Sequence, residues 1–297
     1  MEDNKKNIAL FLTGGLDSTY LAYDNLKKGN KIHPFYIEVQ NNQAKADVEW
    51  ETVLSIYELL SKEFSGLIEY PSKLLKLIAY GSHSTHALVQ PPMWIFGASM
   101  LQNGNYGDKF DEIQISYVLG DCAVSYIEDI KNLYNSYQGI MRRGHNLVPL
   151  SFPLLKYSKE EILDSLPEKY AQQVFSCENP RSKLACGNCT PCRGYLKIFV
   201  EKIGMWQKYP RLVDMVMYGK IRAAFDDYDN NRYTYEVAAK NLRHDEDGEN
   251  DEDEPKAKVF SRSEAKDVIN KMKRKLSWKE QDVDGVESLS DMTVLSS

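Results

Sequence analysis

Two short stretches of this chain concentrate residues able to do chemistry. The first is Leu12-Thr13-Gly14-Gly15-Leu16-Asp17-Ser18-Thr19, set between the apolar run Ile8-Ala9-Leu10-Phe11-Leu12 and a stretch of helical character up to Lys28. Adjacent glycines let backbone amides approach an anion and reach positive φ. The helix that follows offers unpaired N–H groups and the positive end of its dipole. Thr13, Ser18 and Thr19 add hydroxyl donors, so the stretch is a candidate phosphate cradle. An ordinary Gly-Gly turn with an Asp-Ser cap would have the same composition. The stretch lacks the Lys of G-x-x-x-x-G-K-[ST], which excludes the Walker loop that holds a triphosphate for cleavage at its γ position. The second stretch is a C-x8-C-x2-C-x2-C cluster, Cys177, Cys186, Cys189 and Cys192, with Gly187, Asn188 and Pro191 keeping the inner spacers tight. Four thiolates at this spacing can close a tetrahedron around one zinc ion. With sulfur at every position no place is left for water, so the zinc is expected to be structural. Two disulfides are the alternative. No signal peptide or long apolar segment is recognised, which points to the reducing cytoplasm and to zinc. Cys122 is expected to be a small buried residue without a role.

The glycine loop resembles the PP-loop, S-G-G-x-D-S, of ATP pyrophosphatases, with Thr13 keeping the hydroxyl of the usual Ser. Loop and cysteine spacing together resemble the 7-cyano-7-deazaguanine synthases, the QueC family, from about residue 8 to 205. Pro153-Leu154-Leu155 followed by Lys159-Glu160-Glu161-Ile162 is similar to the family's P-L-x-x-x-x-K-x-E-I segment. Lys159 is thereby a candidate phosphate or substrate contact, and a first-turn Lys beside a Ser158 cap would read the same way. Gln43 falls where the family has a Gln after its second strand. The resemblance implies cleavage of ATP between its α and β phosphates, with adenylation of 7-carboxy-7-deazaguanine. Ammonia then gives the amide, and a second adenylation gives the nitrile. It also implies magnesium on the departing pyrophosphate and a homodimer. On this reading the amides of Gly14 to Ser18 and the hydroxyls of Thr13, Ser18 and Thr19 hold phosphates, within an ATP site running from Leu12 to Thr19. Asp17 lies near the magnesium, fixes the loop or caps the helix, and Asp17, Ser18 and Lys159 are the catalytic candidates.

Departures from the family fall on substrate-side positions. Pro91-Pro92-Met93-Trp94 stands where the family has P-G-R-N, Lys45 where it has His, and Ser125-Tyr126-Ile127-Glu128-Asp129-Ile130 in the region of its G-Y-P-D-C-R segment. These departures leave room for other readings. One is a QueC-like protein, such as those of antiphage systems, that joins a deazaguanine to a protein or another amine. Others are a silent nucleotide-binding homologue and an enzyme acting on tRNA.

The elements that must position these residues alternate along the chain. Strand signals at 8–12, 32–39, 66–70 and 113–119 interleave with helix signals at 18–28, 45–64, 92–102, 127–139 and 159–166. That pattern predicts an α/β fold with a doubly wound, mostly parallel sheet, of the adenine nucleotide alpha hydrolase kind that the PP-loop implies. In such a sheet ligands bind at the carboxyl ends of strands. Further helices are expected at 193–199 and 209–218. With 42% apolar side chains and a net charge of −6, the 297 residues can bury one sizeable core, and the charge argues against nonspecific nucleic-acid binding. A catalytic domain is expected over 1–242. The acidic run from His244 to Glu254 reads as a solvated linker opening a tail, 243–297. Within the tail, Ser261 to Trp278 has helical spacing, as a solvated helix or as a docking arm for a protein partner. His83, His86 and the basic Arg142-Arg143-Gly144-His145 read as ordinary loops.

Overall fold

The apolar run at the start of the chain becomes β1, Asn7–Phe11, whose residues after Asn7 are all buried. A continuous apolar strand of this kind needs cover on both faces, as the centre of a parallel sheet provides. The computed structural model describes residues 5–39, 43–77, 90–103, 109–141, 147–181, 183–202, 205–213 and 217. The chain divides into two units, Met1–Ile198 with Lys208–Met217, and Phe199–Gln207 with 218–297. The description that follows concerns the first.

On one side β1 pairs with β2, Lys31–Val39, in register from Asn7 opposite Lys31 to Phe11 opposite Phe35. β3, Ser72–Leu77, lies outside β2. On its other side β1 pairs with β4, Glu112–Gln114, and β5, Leu150–Ser151, pairs with β4. Every pairing is parallel and the order is β3-β2-β1-β4-β5. The chain reverses direction across the sheet between β1 and β4, which is the switch point where such sheets open a crevice.

Helices cover both faces. Ala9, Phe11, Phe35, Ile37, Ile113 and Ile115 share one face and pack on Trp94, Ile95 and Ala98 of α3, Gln90–Asn103, and on Ile127 and Ile130 of α4, Ile127–Met141. The opposite face meets α1, Leu16–Lys27, and α2, Gln43–Glu63. There buried Asn25 of α1 donates to Gln114 Oε1 of β4 at 2.7 Å, and Tyr36 of β2 donates to Glu49 of α2 at 3.0 Å. These two bonds tie α1 and α2 to the sheet they cover. Beyond β5 follow α5, Lys159–Ser165, α6, Glu168–Ala171, and α7, Thr190–Glu201.

Several sequence expectations are corrected. The strand expected at 66–70 is not formed, since Ile68 makes only an isolated bridge with Ile32 and the ladder lies instead at β3. Its Lys73 and Lys76 both pair with Glu38 of β2, at 2.9 and 3.0 Å, which fixes a charged strand at the sheet edge. β4 is shorter than 113–119, and β5 was not anticipated. A helix does not start at Tyr209: Pro210–Leu212 make one 3-10 turn, and Tyr209 anchors the segment by donating to Leu163 O at 2.7 Å. The helix expected at 193–199 begins earlier, at Thr190. Cys122 is exposed, in the 3-10 turn Cys122–Tyr126, rather than buried. His83, His86, the basic stretch 142–145, the acidic run, the helix at 261–278 and the boundary at 242 lie outside the described residues. Among the described residues no helix is long and apolar enough to cross a membrane.

Candidate functional site

The loop leaving β1 is fixed from three sides. Leu12 donates its amide to Phe35 O at 2.9 Å and buries its side chain, so it roots the loop in the sheet. Gly14 has φ 74°, and a Cβ there would stand 2.6 Å from Thr52 Cγ2 of α2. Both the backbone conformation and the close approach of α2 therefore demand glycine. From the far side, Phe175 donates its amide to Gly14 O at 3.0 Å. Ser18 closes the loop on itself, with its Oγ 3.2 Å from Thr13 Oγ1, 3.3 Å from Thr13 N and 3.3 Å from Gly15 O.

Gly15, in extended conformation, is the N-cap of α1 and provides no side-chain cap. Asp17 sits inside the first turn, so the capping role considered for it is not the one it has. The first intrahelical bond runs from Thr19 N to Gly15 O at 3.0 Å. The amides of Asp17 and Ser18 precede it and have no acceptor within the helix. A helix start with unspent donors, at the switch point of a parallel sheet, can hold an anion. Thr19 is fully buried, and its Oγ1 has no hydrogen-bond partner.

Three charges stand beside this helix start. Lys159 Nζ lies 3.5 Å from Asp17 Oδ2 and 3.6 Å from Asp121 Oδ1. Ser158 caps α5 in a reciprocal capping box with Glu161, which sets Lys159 at the first helical position. Lys159 thus follows a cap, as one sequence reading has it, and its ammonium reaches Asp17 of the loop. Asp121 follows Gly120, φ 95°, and accepts from Val118 N at 3.0 Å through its other oxygen. Burial raises the Asp17 pKa to about 6, against the opposing pull of Lys159 and with a further push from Asp121. Burial disfavours the Lys159 ammonium, but Tyr195, Asp17 and Asp121 more than offset it and hold Lys159 charged. Asp17 Oδ1 is buried and has no hydrogen-bond partner among the described residues. Two carboxylates, one ammonium and an orphaned carboxylate oxygen fit a divalent cation carried by an oligophosphate on the first-turn amides.

The four cysteines converge. Their sulfurs all lie within 4.8 Å of one another, and Cys177 Sγ is 3.9 Å from Cys189 Sγ. Tetrahedral ligation at a metal–sulfur distance of about 2.3 Å requires sulfurs about 3.8 Å apart, so one ion fits. A cage of several irons and sulfides does not fit between sulfurs this close. Disulfide bonding would require about 2.05 Å. Backbone amides already serve the sulfurs: Cys186 N donates to Cys177 Sγ at 3.1 Å, and Cys189 N to Cys186 Sγ at 3.3 Å. The cluster packs on Val48 of α2 and on Phe175.

Of the residues picked from sequence, the structure brings Thr13 to Ser18 and Lys159 together at one rim and the cysteines together nearby. Gln43 starts α2 and turns its amide to Asp47 at 2.7 Å, while Lys45 lies 3.7 Å from Glu49. Sequence reasoning missed Asp121, whose only signal is a Gly-Asp pair after a strand, and missed Ser176 and Tyr195. Ser176 accepts from Leu16 N at 3.4 Å and from the Tyr195 hydroxyl at 3.3 Å. No protein-family model matches the chain. Among solved structures it is similar to the U34-tRNA thiolase NcsA from Methanococcus maripaludis with its 4Fe-4S cluster, at 16% identity over 73% of this chain and 72% of that one, with a TM-score of 0.37. It is also similar to NMN synthetase from Francisella tularensis, at 15% identity over 77% of this chain and 88% of that one, with a TM-score of 0.35.

Proposed function

We propose that this chain is an ATP-dependent adenylating enzyme of the QueC type, acting on the carboxylate of 7-carboxy-7-deazaguanine. The observation that carries the reading is the buried, unpartnered Asp17 Oδ1 beside Lys159 and Asp121, at a helix start whose donors are unspent. A carboxylate resists attack by an amine because its leaving group would be oxide. Attack of the carboxylate oxygen on the α phosphorus of ATP forms an acyl adenylate and releases pyrophosphate. Ammonia then displaces AMP and leaves the amide. The amide oxygen attacks a second ATP in the same way, releasing a second pyrophosphate, and loss of AMP with the nitrogen's protons yields the nitrile, so each nitrile consumes two ATP and releases two AMP.

In this chain the amides of Asp17 and Ser18 bind the phosphates, and the Lys159 ammonium offsets charge as it gathers on the departing oxygens. Magnesium arriving with the nucleotide would neutralise the pyrophosphate, with Asp17 and Asp121 as its protein ligands. The cysteine cluster would hold zinc in a closed, structural site.

A second reading keeps the adenylation and changes the acceptor. Met93 and Trp94, where the family has planar hydrogen-bonding side chains, are buried, and Trp94 packs 5.1 Å from Phe11. They contribute to the core and offer little to a base, which favours an altered acceptor such as a protein amine. The deciding experiment supplies metal-loaded protein with ATP, magnesium, ammonium and 7-carboxy-7-deazaguanine and reads products by mass. Amide or nitrile with AMP is expected. AMP appearing only when a protein acceptor is added selects the second reading, and no AMP in either case refutes both.

A further inference from the structure

The cysteine cluster and the phosphate loop meet along one seam, and two side chains cross it. Ser176 is the residue before Cys177. Its Oγ takes the Leu16 amide at 3.4 Å and lies 3.3 Å from the place a Cβ on Gly15 would occupy. Tyr195 lies one helical turn beyond Cys192 on α7. Its hydroxyl donates to the same Ser176 Oγ at 3.3 Å, and Lys159 Nζ stands 5.8 Å from the centre of its ring. The two ends of the cysteine cluster therefore reach the two halves of the candidate site: Cys177 through Ser176 to the start of α1, and Cys192 through Tyr195 to Lys159.

A metal ion on the four sulfurs would tie the chain at Ser176 to the helix that carries Tyr195. Between Cys177 and Thr190 the described residues form no helix or strand, only the bridge of Arg181 with Leu184. Four buried thiolates within 4.8 Å repel one another unless a cation sits among them. Without that cation the repulsion falls on the residues flanking the cluster, Ser176 next to Cys177 and Tyr195 one turn beyond Cys192.

We propose that Ser176 and Tyr195 are positioning residues that carry the metal-bound state of the cysteine cluster to the phosphate loop, Ser176 by fixing the start of α1 and Tyr195 by seating Lys159. For the identity of the ligand this rests on the adenylation reading, but the coupling itself can be read without any ligand.

The test is amide hydrogen exchange of the full chain without nucleotide, followed in the peptide spanning residues 12–20. Metal-loaded protein is compared with protein stripped by a chelator, and with metal-loaded Ser176→Ala and Tyr195→Phe. Stripping is expected to speed exchange in this peptide about tenfold, the worth of one lost hydrogen bond. Each variant is expected to show faster exchange there while keeping one metal per chain and the parent's global urea midpoint. In a protein carrying both Ser176→Ala and Tyr195→Phe the metal has little left to control, so stripping it should add little. Unchanged exchange on stripping overturns the proposal. So do variants that exchange like the parent, and variants that lose the metal, because the two residues would then hold the cluster rather than transmit its state. A protein whose loop responds to metal in this way yet releases no AMP supports the coupling and refutes the adenylation.

Discussion

Asp17 is the residue at which function and stability oppose each other. Burial is the chief cause that pushes its carboxyl up from the ordinary 3.8 to about 6. A folded-state pKa above the unfolded one means the proton is held more tightly in the folded chain. The stabilisation from that proton is complete below 3.8 and is lost as pH rises through 6. Asp17→Asn removes the penalty, and its stability gain over the parent should be about 1 kcal/mol larger at pH 8 than at pH 5. Urea melts at the two pH values check this, and an equal gain at both would show that Asp17 titrates normally. The same variant should release no AMP. Lys159→Met removes the opposing charge, so the carboxyl should titrate higher still. AMP release should fall by about a hundredfold or more, and its acid limb should move to higher pH. A pH–rate profile with an unmoved limb would separate Lys159 from Asp17. Asp17 and Lys159 were legible in the sequence because each sits in a short motif. Asp121 was not, because a Gly-Asp pair after a strand is a common turn, and its carboxylate meets Lys159 only when β4 is laid beside β1.

The loop is held by its neighbouring elements more than by its own sequence. Gly14 lies at φ 74°, and α2 approaches so closely that an added Cβ would meet Thr52 Cγ2 at 2.6 Å and Thr52 Cβ at 2.8 Å. Gly14→Ala should cost about 2 kcal/mol and abolish AMP release. Adding Thr52→Ser removes the shorter contact but neither the second contact nor the positive φ, so the urea midpoint should recover only in small part. Full recovery would assign the whole demand to packing and none to the backbone. β1, α1, β2 and α2 were legible because long apolar runs and helical spacing alternate without interruption. β3 was misplaced because a charged edge strand, with Lys73 and Lys76 paired to Glu38, reads as loop, while the neighbouring run Leu67-Ile68-Glu69-Tyr70 alternates better. β5 is two residues long and has no pattern to read.

The whole first unit turns on one crossing of the chain, which brings the ends of β1 and β4 together and sets Asp17 and Asp121 on either side of Lys159. Sequence alternation gave the parallel class of fold, but strand order in a parallel sheet is non-local and left no mark on any one segment. The cysteine spacing gave the metal cluster, and it did not show that the cluster packs on α2 and backs the phosphate loop. That placement would make a bound metal part of the fold's stability rather than a local clip, since Val48, Phe175 and the four cysteines belong to one buried cluster. A ligand bound only by the folded state stabilises it by about 4 kcal/mol when its free concentration is a thousandfold above its dissociation constant. Chelation should therefore lower the global urea midpoint as a single cooperative transition. Zinc should restore the midpoint and magnesium should not, because four thiolates suit the softer ion and reject one that demands oxygen ligands. Cys189→Ser should melt like the chelated parent and be indifferent to the chelator. If chelation instead left the midpoint unchanged, the four sulfurs would be packing residues only, and the zinc assignment would fall with them.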